Sequence, residues 1–127
     1  MRFMFIVHGP EDFGKAGPPP KALFEAIDKL GQEGLKSGKI VSMGGLHPTA
    51  SGARVRSTGG KLVTTDGPFT EAKEVIGGFT IMDLPSREAA LEEMRQFMEL
   101  HRKLWPAWEG ECEMRQMYEE GDKLPGE

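Results

Sequence analysis

The 127-residue chain has one cysteine, one tyrosine and three histidines, and its 16 Lys and Arg are outnumbered by 20 Asp and Glu. A lone thiol, Cys112, excludes an intramolecular disulfide and any zinc site built on several cysteines. A formal charge of -4, with the basic residues scattered, speaks against nucleic acid, because phosphate binding draws on clustered Lys and Arg. No apolar run approaches the ~20 residues of a membrane span. The opening MRFMFIVHG alternates like a strand and lacks the small-residue cleavage pattern of a signal peptide, so the expected location is the cytoplasm. No two histidines stand at helical i, i+4 spacing, the glycine pairs lack the strand-to-helix context of a phosphate loop, and GxSxG is missing. On these grounds neither a metal nor an organic cofactor is assigned.

What is present is an alternation of strand and helix patterns. RFMFIVH, from Arg2 to His8, reads as a strand that is apolar on both faces. The segment GPEDFGKAGPPP, Gly9 to Pro20, is too rich in Gly and Pro for regular structure and is long for a connection, as a lid would be. Lys21 to Ser37 carries Leu23, Phe24, Ile27, Leu30 and Leu35 at near-helical spacing and stops at Gly38. KIVSMGGL reads as a second strand, and ARVRS and KLVTT flank a Thr58-Gly59-Gly60 turn as a hairpin. VIGGFTIMDL is a further strand, Ser86 caps a second helix that buries Ala90, Met94, Phe97 and Met98, and CEMRQM is the last strand. One domain over residues 1–118 is expected, followed by an acidic, flexible tail over 119–127.

Strand, helix, strand, hairpin, strand, helix, strand is the split βαβ order of α+β, ferredoxin-like folds with one inserted β-hairpin. Two helices cover one sheet face. The other would meet water with Met4 and Ile6 on it, so a second copy packed face to face is the expected cover, giving a homodimer.

The same topology gathers several chemical groups at one end of the sheet. There lie His8 with the loop that follows it, His47, the motif DGPFTEAKE from Asp66 to Glu74, His101, and Trp105 with Trp108. If the chain is extended after Pro68, Phe69, Glu71 and Lys73 share a face, which would set a carboxylate beside an ammonium. Such a pair either orients a polar ligand or decorates a surface turn. His47 and His8 are candidate general bases or, equally, loop and strand-end residues. Trp105 and Trp108 stack on a flat ligand or seal a core edge. Arg54 and Arg56 share one hairpin face and could clamp an anion.

DGPFTEAKE followed by GGF, together with MRFMFIV, GGLHP, ARVR and GECEMRQM, resembles the YciI-like family in its DGPF-domain branch. The resemblance implies a dimeric α+β barrel of ferredoxin-like protomers. The wider family includes proteins with a His and Asp dyad proposed to be catalytic and a dehydrochlorinase of chlorinated hydroxyquinones; here the helix that would carry the dyad histidine has none. Some DGPF proteins are similar to partners encoded beside extracytoplasmic-function sigma factors.

Two functions follow as expectations. One is proton transfer on a small polar or aromatic metabolite, with His47 or His8 as base, Asp66 and Glu71 as acid or orienting carboxylates, Lys73 steadying an anion, and His8, Phe69 and Trp105 touching the ligand. The other is a non-catalytic ligand-binding or regulatory module.

Overall fold

The computed structural model describes all residues, 1–127, as an α+β chain with a four-stranded antiparallel sheet, two long helices and a separate two-stranded hairpin. The strands are β1 (Arg2–Gly9), β2 (Ile40–Gly45), β3 (Ala53–Thr58), β4 (Lys61–Asp66), β5 (Val75–Asp83) and β6 (Glu111–Gln116). The helices are α1 (Lys21–Ser37) and α2 (Arg87–Leu104). The sheet order β2-β5-β1-β6 puts the first and last strands side by side, as a split βαβ arrangement requires, and is compatible with a ferredoxin-like fold.

Alternation on β1 decides the layers. Phe3 and Phe5 are buried toward the helices, where they form the core with Leu84 and Ala90, against Met82, Met94, Cys112 and Met114. Met4 and Ile6 face the other way, opposite Ile81 and Phe79 of β5. These four residues make an apolar patch on the face that carries no helix, and all four are only half-buried.

Each helix begins and ends as its local chemistry dictates. Ser86 caps α2 by accepting the Ala89 N–H at 3.1 Å, and Gly38 ends α1 in the left-handed region at φ 82, where a side chain would be strained. α1 differs from its expected face. It buries Leu23, Gly31 and Gly34, whereas Phe24, Leu30 and Leu35 are exposed. The glycines bring the helix backbone onto β2: a Cβ on Gly34 would stand 2.3 Å from Ile40 Cδ1 and one on Gly31 2.9 Å from Met43 Sδ. Hydrophobic spacing points to the bulky residues and misses a contact made by having no side chain.

Residues 10–20 are also more ordered than their composition suggests. Glu11–Ala16 forms a 3-10 segment, kinked at Asp12, Phe13 and Gly14, whose φ values are all positive.

Candidate functional site

β1 and β6 pair antiparallel with Ile6 opposite Glu113 and His8 opposite Glu111. His8 and Glu113 are therefore diagonal neighbours on the helix-free face, within reach of long side chains. His8 Nε2 donates to Glu113 Oε1 at 2.8 Å, and the His8 side chain is 22% exposed. Because a carboxylate only accepts, in the neutral imidazole this bond fixes the proton on Nε2 and leaves Nδ1 as the free lone pair. An imidazole oriented by a carboxylate, with its second nitrogen open, is a group that can take a proton from a ligand.

The DGPF motif does a different job. Gly67 N–H donates to Gly52 O at 2.8 Å, Gly52 N–H donates to Thr49 O at 2.9 Å, and Phe69 N–H donates to Thr49 Oγ1 at 3.0 Å. Thr49 in turn gives its N–H to Glu11 Oε1 at 3.0 Å and its hydroxyl proton to the same oxygen. Three segments far apart in sequence are thus tied through one threonine: the loop after β1, the loop after β2 and the approach to β5. Gly67 is required by contact, since a Cβ there would lie 1.6 Å from Thr49 O.

Beyond Pro68 the chain turns instead of extending, with Ala72 N–H donating to Phe69 O at 3.1 Å. Glu71 consequently pairs with Arg54 of β3 and not with Lys73. The Arg54 guanidinium lies 3.7 Å from the centroid of the Phe69 ring, and the Glu71 carboxyl is held below its ordinary range by its own backbone N–H first and by the bond from Arg54 second. The expected anion clamp of Arg54 and Arg56 therefore has one arm already engaged. His47, Asp66 and Lys73 are exposed and take no part in a side-chain hydrogen bond or ion pair. Glu11, Thr49 and Glu113 lie outside the site that the sequence predicts. The signal for Glu113 was there: alternation in ECEMRQ puts Glu111 and Glu113 on one face, and the fold order makes the first and last strands neighbours.

On the helix side of the same sheet end sits an aromatic cluster. His101 rings contact Phe97 at 4.6 Å and Trp108 at 5.0 Å between centroids, and Trp105 stacks on Trp108 at 5.5 Å. Gly9 and Gly110 leave room for Trp108, whose ring atoms would come within 3.1 and 2.2 Å of a Cβ at those positions. Burial holds the His101 imidazole below the ordinary histidine value, opposed only by the Nδ1–H bond to Phe97 O at 2.9 Å. The unfolded chain then takes up a proton below pH ~6.5 that the folded chain resists. Stability contributed by neutral His101 is intact above that pH and falls as the pH drops through it. Urea midpoints measured from pH 8 to 5 are expected to fall less steeply at the acid end for His101→Gln than for the parent chain. Burial also pushes the Cys112 thiol up to about 11, which leaves it protonated and unreactive near neutrality.

Two hollows lie under the helices, one of about 40 Å³ lined by Phe5, Val7, Met94, Phe97 and Cys112, the other of about 50 Å³ between α1, α2 and β2. Each has room for a few waters, not for a metabolite, which takes roughly 300 Å³ or more. No helix is long and apolar enough to cross a membrane.

The chain is 36% identical over 58 residues to "Uncharacterized protein R00369" of Rhizobium meliloti (strain 1021), a stretch covering 46% of this chain and 47% of that protein. The matched region thus spans about half the length of the relative. The profile of the YCII-related domain matches residues 1–98, and the chain belongs to that family.

Proposed function

We propose that the protein transfers a proton to and from a small polar or aromatic metabolite at the C-terminal end of β1, with His8 as the acid and base and Glu113 orienting it. The observation that carries this is the 2.8 Å bond between His8 Nε2 and Glu113 on a half-buried sheet position. Among the three histidines, His47 is exposed with no partner and His101 is buried in the aromatic cluster. Only His8 has both a carboxylate partner and a free nitrogen. Solvent deuterium exchange tests the reading: small carbonyl compounds with acidic C–H bonds, incubated with the protein in D2O, should lose those proton signals in a protein-dependent way. No exchange above buffer for enolisable ketones, aldehydes and keto acids would count against it.

The working unit we propose is a two-fold dimer. Two observations support a second copy. Met4, Ile6, Phe79 and Ile81 form an apolar patch beside His8 with no helix over it. Covering that patch would remove water from the His8 site and strengthen the carboxylate's hold on it. The hairpin is the second. All twelve residues of β3 and β4 are exposed, with Val55, Leu62 and Ala53 on one face and Arg54, Arg56, Lys61 and Val63 on the other. A two-stranded hairpin alone is marginal in water, and Leu62, 76% exposed, needs a surface to rest on. Sedimentation at micromolar concentration should give twice 14.0 kDa, and Ile81→Lys should shift the protein to monomer. A parent chain that sediments at 14.0 kDa refutes the dimer but leaves the deuterium assay to judge His8.

The exposed hairpin also favours the second reading, a binding or regulatory module in which this arm meets a different protein. That reading predicts ligand-induced thermal stabilisation with no exchange of substrate protons.

A further inference from the structure

The indole Nε1–H of Trp105 is the one buried side-chain polar atom without a hydrogen-bond partner, in a residue only 7% exposed. A buried donor left unpaired is destabilising and calls for an explanation. The rings packed on Trp105 are Trp108, stacked at 5.5 Å, and Phe13, edge-on at 5.4 Å. Neither offers more than a π face, a far weaker acceptor than a carbonyl oxygen.

Phe13 is itself an unusual neighbour. It is 42% exposed, and its backbone sits at φ 65 between Asp12 at φ 52 and Gly14 at φ 59. Aspartate tolerates the left-handed region, but a bulky aromatic residue there is disfavoured, so the Phe13 ring is held where it would not rest on local grounds. The segment is fixed at one end by the Glu11 carboxylate on Thr49 and bounded at the other by Gly17 and three prolines, while residues 12–15 are exposed. Relaxing the backbone between these ends would lift Phe13 off Trp105 without disturbing either.

We infer that Phe13 is a displaceable plug over a ring-sized slot, in which Trp105 donates its indole N–H to the oxygen of a flat aromatic carbonyl compound. The ring of the ligand takes the place of the Phe13 phenyl, and its carbonyl supplies the acceptor that the indole lacks. The chemical class follows from two needs of the site: a ring to replace a ring, and a neutral acceptor for the indole N–H, since no Lys or Arg cation stands over either indole ring to hold an anion. The slot lies on the helix side of β1, where Gly9 meets Trp108, and His8 lies on the other side, so the two sites are separable by mutation.

The chain has two tryptophans, so its ¹⁵N–¹H spectrum contains two indole signals, which a Trp108→Phe variant assigns. Acetophenone and ethylbenzene, alike in shape but differing in the carbonyl oxygen, are the probes. Acetophenone should move the Trp105 signal to lower field saturably, and ethylbenzene should bind about tenfold more weakly without that shift. Removing the plug with Phe13→Ala should tighten acetophenone about tenfold, since the competent state no longer competes with a closed one. His8→Gln should leave the titration unchanged. Absence of a saturable shift up to roughly 10 mM in both the parent and Phe13→Ala overturns the inference. So does an equal response to ethylbenzene, or loss of binding in His8→Gln.

Discussion

Gly67→Ala should lower the unfolding free energy by about 3 kcal/mol or more, well above the ordinary range for a one-carbon change. The added Cβ would stand 1.6 Å from Thr49 O and 2.6 Å from its carbonyl carbon, both backbone atoms that no rotamer change can move. Relief requires the Gly67 strand end and the Thr49 turn to part. That separation breaks the Gly67 to Gly52 bond at 2.8 Å and takes Phe69 N–H away from Thr49 Oγ1. With Thr49 displaced, the Glu11 carboxylate loses both of its donors, and the loop after β1 loosens as well. Thr49→Val, which keeps the backbone contact and removes only the hydroxyl, should lose less, about 1–2 kcal/mol. Denaturant midpoints at constant slope measure both. If Gly67→Ala matched the parent chain, the motif would not be the junction of these three segments.

Changing His8 to Gln should lower any proton-exchange activity of the protein by about a hundredfold to ten-thousandfold, the usual contribution of a positioned acid or base. Glutamine can still meet Glu113 but cannot pass a proton at neutral pH. Glu113→Gln is the more informative partner. It preserves the shape of the pair but replaces a charged, accept-only partner with an amide, whose carbonyl holds the Nε2–H tautomer more weakly and whose NH2 can instead donate to Nε2 and place the imidazole proton on Nδ1. The loss should be about a hundredfold, falling on kcat more than on KM, because orientation of the base and not substrate binding is what changes. Variants of His47 and Lys73, which have no partner among the protein's own groups, should act mildly by comparison. A His8→Gln protein with undiminished exchange would move the proton-transfer role elsewhere.

Much of the architecture could be read in advance because its determinants are local. Lys21–Ser37 forms the helix that its spacing, Pro20 and Gly38 announce, and the hairpin turns at Gly59 and Gly60, both at positive φ, where their lack of a Cβ is needed. The strand from Val75 to Asp83 and the helix from Arg87 to Leu104 fall within a residue or so of their patterned bounds. Reading failed where a residue acts by contact across the fold. The motif after Pro68 bends because Phe69 and Gly67 answer to Thr49, some twenty residues earlier, and so Glu71 meets Arg54 in place of Lys73. α1 docks through glycines that no apolar pattern could mark.

The order of strands and helices, and an apolar sheet face in need of cover, are written in the chain itself, since period, capping and turn chemistry are settled among near neighbours. Which carboxylate orients which imidazole is not. His8 and Glu113 stand 105 positions apart, and only the antiparallel register of β1 against β6 brings them onto one face at hydrogen-bond distance. A slip of one residue in that register would send Glu113 to the opposite side of the sheet and leave His8 without it.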